Sequence, residues 1–103
     1  EKIQKVVNAW FATLDTIKQD PAGTLPILVE RSGVSEAEFK EYNAGTTIQT
    51  LEQNRQGFKP GTTMLSMPHA AEQISTFLVE TGLAKTKPDL SYLFNSQFVD
   101  SVK

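Results

Sequence analysis

The sequence has 103 residues, 39% of them hydrophobic, with ten basic and twelve acidic side chains and a net charge of -2. That describes one domain or part of one, able to bury a thin core, with no positive excess to draw it to nucleic acid or an anionic membrane surface. It has no cysteine, so neither a disulfide framework nor a thiolate metal site can form, and no apolar run approaches the roughly 18 residues of a membrane span.

In chain order, Ile3, Val6, Val7, Trp10, Phe11, Leu14 and Ile17 recur at three- and four-residue steps. This predicts an amphipathic helix with a wide apolar face, and Trp10 and Phe11 are both assigned to the core. The helix stops near Asp20-Pro21, because a residue before proline is pushed out of the helical region. Asp20 then caps a second helix with Pro21 at its first position. Leu25, Leu28 and Val29 form its stripe, Pro26 should kink or loosen it, and Gly33 closes it. Ser35 and Glu38 have the spacing of a capping box for a third helix, with Phe39 and Tyr42 inward and Gly45 as its stop. Residues 46–50 read as an extended connector. Thr50 and Gln53 repeat the capping-box logic for a fourth helix bearing Leu51 and Phe58, and Lys59-Pro60-Gly61 reads as a turn. A fifth helix is predicted from about Ser66 to Thr81, with Ala70, Ala71, Ile74, Phe77 and Leu78 inward and Gly82 beyond its end. Residues 85–94 form a connector with one helical turn, and Asn95 caps a last short helix carrying Phe98, Val99 and Val102. No segment alternates like a strand. The expected fold is all-α for the isolated chain, five to six short helices in a single unit spanning 1–103.

Gly-Thr-Thr occurs twice, at 45–47 and 61–63. A phosphate-cradling loop would place several glycines after a strand and a lysine at the helix start, and neither copy does. Both read as helix boundaries, with hydroxyls satisfying nearby backbone donors. His69 is the sole histidine, in the first turn of a helix and expected to be exposed. One histidine cannot build a histidine-rich metal site, and nothing beside it assembles a catalytic set. Trp10 with Phe11 could stack a ligand, but their helical spacing with Val7 and Leu14 favours the core. Tyr42 and Tyr92 have polar tips suited to half-buried positions. Glu36, Glu38 and Glu41 fall largely in the first half of a helix, where they suit its dipole as a solvated face. No catalytic and no metal-binding residue is assigned, the ligand-binding residues are unknown, no cofactor is implied, and an enzyme is not expected.

Taken in order, these segments resemble a known family. Val6–Tyr42, "VVNAWFATLDTIKQDPAGTLPILVERSGVSEAEFKEY", is followed by "GTTIQTLEQNRQGF" and by "TMLSMPHAAEQISTFLVETGLAKTKPDLSYLFNSQFV". Together they look like the C-terminal part of the periplasmic solute-binding component of bacterial ABC importers, of the nitrate, sulfonate and taurine (bicarbonate) type. The resemblance runs from Ile3 to Val102 and rests on the order and spacing of "NAW…DTIKQDP", "GTT…TLEQN", "AAEQISTFLVETGL" and "KPDLSYLF". It implies that the chain is the helical C-terminal layer of the first lobe of a two-lobe α/β protein. The sheet, the second lobe and most cleft residues would lie upstream of Glu1. The chain begins without Met and already on a helical period, which reads as a piece of a longer protein. The resemblance further implies a small-molecule solute and a membrane ABC permease as partners of the whole protein, which would be periplasmic or extracellular, with lipid anchoring through a signal upstream of Glu1. The fragment is not expected to bind ligand alone. Its apolar helix faces are expected to drive self-association as a homodimer. The alternatives are a thiamine-pyrimidine-precursor protein of the same fold and a free-standing helical interaction module.

Overall fold

The computed structural model describes all residues from Glu1 to Lys103. It contains six helices and no strand: α1 (Lys2–Gln19), α2 (Pro21–Ser32), α3 (Glu36–Ala44), α4 (Leu51–Phe58), α5 (Met67–Glu80) and α6 (Gln97–Asp100). The chain is all-α, as the helical periodicity predicts. It divides into two compact units, one of Glu1–Thr50, which also takes in the terminal Lys103, and one of Leu51–Val102.

In the first unit α2 packs on both α1 and α3. The boundaries are set by local chemistry. Asp20 leaves the helical region at φ -134° and its carboxylate accepts the Gly23 N–H at 2.9 Å, with Pro21 at the head of α2. Pro26 lies inside α2, which is a continuous helix over its twelve residues. Gly33 ends α2 at φ +72°, a left-handed conformation that only glycine adopts cheaply. The capping box at α3 is complete: the Ser35 hydroxyl accepts the Glu38 N–H at 3.3 Å, and the Glu38 carboxylate accepts the Ser35 N–H at 2.9 Å. Gly45 follows as the C-cap, and the Thr46 hydroxyl donates to the Tyr42 carbonyl at 2.8 Å. The Thr46 hydroxyl therefore serves an orphan carbonyl, whereas the sequence reading had it serving a backbone donor.

In the second unit α4 packs on α5 and α6. Ser66 caps α5: its oxygen accepts the His69 N–H at 3.3 Å while its hydroxyl donates to the Lys59 carbonyl at 2.8 Å. It is 6% exposed, so one buried side chain ties the Lys59-Pro60-Gly61 turn to the start of α5. A methyl at Gly61 would sit 2.9 Å from the Ser66 Cβ, which explains the glycine by close approach. Arg55 on α4 reaches the end of α6, donating to the carbonyls of Val99 (3.2 Å), Asp100 (3.5 Å) and Val102 (2.7 Å). A cation there meets carbonyls that have no partner within so short a helix. The Asn95 side-chain Oδ1 accepts the Gln97 N–H at 3.0 Å, although the N-cap position itself is Ser96. Residues 90–93 close a turn through the Leu93 N–H to the Leu90 carbonyl at 3.2 Å, without the helical turn expected there.

The main corrections concern which side of each helix faces inward. Phe11 is 7% exposed, but its neighbour Trp10 is 51% exposed and Val6 69%. The apolar face of α1 is wider than the contact α2 offers, and the inward third is centred on Phe11, leaving Trp10 outside. On α5 the buried residue is Ser75, whereas Ile74 and Phe77 are exposed and Ala70, Ala71 and Leu78 half-buried. Tyr42, expected inward, is exposed, since α3 meets α2 through few residues and Phe39 alone is half-buried on it. Val99 is buried and Phe98 and Val102 are half-buried, as the pattern of the last helix suggests.

Two outcomes follow for stability. Phe11→Ala should cost about 3 kcal/mol and Trp10→Ala under about 1 kcal/mol in dilute solution, as read by thermal unfolding. Ser35→Ala should cost about 1 kcal/mol. The hydrogen bond from the Ser35 hydroxyl, then that from its N–H, hold the Glu38 carboxyl below its ordinary value. A lowered folded value means this support is present above the ordinary glutamate range and is lost as pH falls through the lowered value. Amide protection factors at α3, corrected for intrinsic exchange, should therefore fall as pH drops through that value, and Ser35→Ala should flatten that dependence.

Candidate functional site

A surface concavity lies in each unit. In the second it is an open groove of about 440 Å³ walled by Pro60, Pro68 and Phe94, with His69, Glu72 and Ser91 contributing polar atoms. The Ser66 cap and the close approach of Gly61 place Pro60 against the first turn of α5, so the groove is a consequence of that junction. His69 and Glu72 are one turn apart on α5, which sets both side chains toward the groove. His69 is half-buried, correcting the exposed position expected for it, because Pro68 and the 59–61 turn flank it.

Two of the three polar side chains of this groove are already engaged. Glu72 is ion-paired with Lys87. The Ser91 hydroxyl donates to Asp89 at 2.6 Å, and the Ser91 N–H donates to the same carboxylate oxygen at 2.9 Å. These two bonds, the hydroxyl first, hold the Asp89 carboxyl below its ordinary value. No hydroxyl here donates to His69, so the arrangement does not form a nucleophile and base.

The shallower concavity of the first unit, about 370 Å³, lies between the end of α2 and the end of α3. Its two aliphatic hydroxyls are spent on helix ends: Ser32 donates to the Val29 carbonyl at 2.8 Å and Thr46 to that of Tyr42. No three His, Asp or Glu side chains gather in a metal-ligating cluster, and no helix is long and apolar enough to cross a membrane. Of the two Gly-Thr-Thr stretches, the first is a helix C-cap and the second leads into the Thr63–Ser66 turn, closed by the Ser66 N–H to the Thr63 carbonyl at 3.0 Å. Tyr92 stands 93% exposed, and Tyr42 lines the rim of the first-unit concavity.

The largest functional signal is apolar surface. Two separate folded units of half of 11.4 kDa would expose about 7,000 Å² between them, and this chain exposes 8222 Å². Ile3, Val6, Trp10 and Ile27 in the first unit, and Met64, Leu65, Ile74, Phe77, Leu83 and Leu93 in the second, are each more than half exposed. Sequence periodicity marks these side chains as apolar but cannot say which face of a helix its neighbours leave open. Ile3, Val6, Trp10, Ile74 and Phe77 belong to the apolar helix faces expected to drive self-association, whereas Ile27, Met64, Leu65, Leu83 and Leu93 carry no such expectation in the sequence.

Comparison with family models, with characterised proteins and with solved structures finds no match for this chain.

The Asp89–Ser91 turn generates a measurable expectation. Carbon-detected NMR titration should place the Asp89 carboxyl below an ordinary aspartate, and Ser91→Ala should move it back toward that value by removing the larger of the two causes.

Proposed function

We propose that residues 1–103 are the C-terminal helical layer of the solute-binding component of an ABC import system, of the class that captures nitrate, taurine or alkyl sulfonates. The observation that carries this reading is the uncovered apolar surface in each unit, with only Phe11 and Val99 among the apolar residues buried. A layer built to cover a larger body has this character: its caps are complete and its helices regular, but its apolar faces lack partners. The order of segments from Val6 to Val99 that resembles this family supports the same reading.

In this reading the layer takes no part in chemistry. Its role is to cover one lobe, so that ligand capture and closure occur in a cleft formed largely by other residues. The working protein then pairs with a membrane permease and is periplasmic or extracellular, with lipid anchoring where an attachment signal precedes this region. The engaged Ser32, Thr46 and Ser91 hydroxyls and the Glu72–Lys87 ion pair are consistent with a structural rather than ligand-contacting role.

The test is calorimetry on the whole polypeptide that carries these residues and on the 103-residue chain, each titrated with nitrate, taurine, an alkyl sulfonate and a thiamine-type pyrimidine. Binding of one of the first three by the whole polypeptide, and of none by the 103 residues, is the expected result. Pyrimidine binding alone would move the protein to the thiamine-pathway relative of the same fold. Micromolar binding by the 103 residues would overturn the assignment of the cleft to residues outside them.

A further inference from the structure

The face of α1 that α2 leaves open has a spacing of its own. Ile3, Val6, Trp10, Thr13 and Ile17 follow at steps of three, four, three and four residues. This is the a/d spacing of a two-heptad coiled-coil seam. The seam is separate from the side used inside the unit, which centres on Phe11 with Val7 and Leu14 half-buried beside it. Ile3, Val6 and Trp10 are 58%, 69% and 51% exposed, and Ile17 is half-buried. At eighteen residues α1 is the longest helix of the chain, about 27 Å. A stripe of that length and regularity is more than scattered surface hydrophobicity.

We infer that this seam is a self-association surface, and that its occupant is α1 of a second copy of this chain, packed antiparallel about a two-fold axis near Trp10. Two observations select that occupant. First, the seam is self-complementary when reversed: with Trp10 at the axis, Ile3 of one chain meets Ile17 of the other and Val6 meets Thr13, so large and small residues alternate. Second, the ends carry opposite charge. Lys2 flanks the seam at its start and Asp20 stands at the C-cap, so reversal brings lysine to aspartate at both ends, whereas parallel pairing brings like to like. Antiparallel packing also sets the positive end of one helix dipole beside the negative end of the other. A closed two-fold pair is the simplest way for one such patch to be satisfied. The inference concerns the 103 residues as they stand and does not rest on the transport reading.

The experiment is sedimentation velocity on the 103-residue chain, with cysteine pairing as a second readout. The chain should pass from monomer to dimer between about 1 and 100 µM. Val6→Glu with Trp10→Glu, both at exposed positions, should remain monomeric across that range with an unchanged helical circular dichroism spectrum. The native chain has no cysteine, so oxidation reports geometry cleanly: a mixture of Ile3→Cys and Ile17→Cys chains should cross-link to each other several-fold faster than either to itself. A wild-type chain that stays monomeric to about 100 µM overturns the inference, as does a dimer that the double variant leaves intact. Faster self-cross-linking of Ile3→Cys than of the mixture overturns the antiparallel arrangement. All of these outcomes are independent of whether any solute binds.

Discussion

The rest of the structure depends on how little interior each half of the chain can form. A unit of about 50 residues lies below the size at which one hydrophobic core comfortably holds a fold. Here the buried apolar side chains are Phe11 in one unit and Val99 in the other. Order is therefore carried by hydrogen bonds at helix ends. Asp20, the Ser35–Glu38 pair and Ser66 satisfy the first turns of α2, α3 and α5. Gly33 turns the chain out of α2, and Arg55 closes the end of α6. Each such device is worth on the order of 1 kcal/mol, enough to fix where helices begin and end but too little to hold their apolar faces against water. Short helices need tertiary cover to persist; α2 lends it to α1 and α3, and α4 to α5 and α6, while much of their apolar surface stays open.

That division explains what the sequence made legible. A cap depends on three or four consecutive residues and on nothing else, so Asp20-Pro21, Ser35 with Glu38, and Gly33 could each be placed directly from residue type. The α1 and α5 boundaries fall within a residue of where those signals put them. The phase of a helix about its axis is a different quantity. On α1 the large apolar residues span about 140° of the circumference, so pattern alone does not separate Trp10 from Phe11 until the angle at which α2 crosses is known. That angle is set by packing between segments, which local pattern does not encode. Ile74 and Phe77 on α5 fail for the same reason, with Ser75 taking the inward position that hydropathy assigned to its neighbours. Ser66 lay between: its capping role follows from its place before Met67-Pro68, but its second bond, to the Lys59 carbonyl, needs the turn to fold back.

The groove beside His69 shows the same logic at the candidate site. Its residues were visible singly, as one histidine near a helix start, two prolines and an aromatic ring. Their convergence depends on Gly61 coming within contact of Ser66, a tertiary event. Once formed, the groove offers little free chemistry, because the Ser91 hydroxyl, the Asp89 carboxylate and the Glu72 carboxylate are already paired. What remains unspent on the molecule is apolar surface, and function is best sought in what covers it.

Two coverings are compatible with the α1 seam, and mass action separates them. Within a longer polypeptide, a body joined to α1 through the chain competes at an effective concentration of order millimolar. A second copy joined only by diffusion competes at its actual concentration, which for a seam of two heptads must reach micromolar levels before pairing is appreciable. The same stripe of Ile3, Val6 and Trp10 can therefore be an internal contact in a whole protein and a dimer contact in these 103 residues. The regular three-four spacing matters to both uses for one reason. It keeps the apolar residues on a straight line along the helix, the shape that either the face of a sheet or another helix needs to exclude water along its full length.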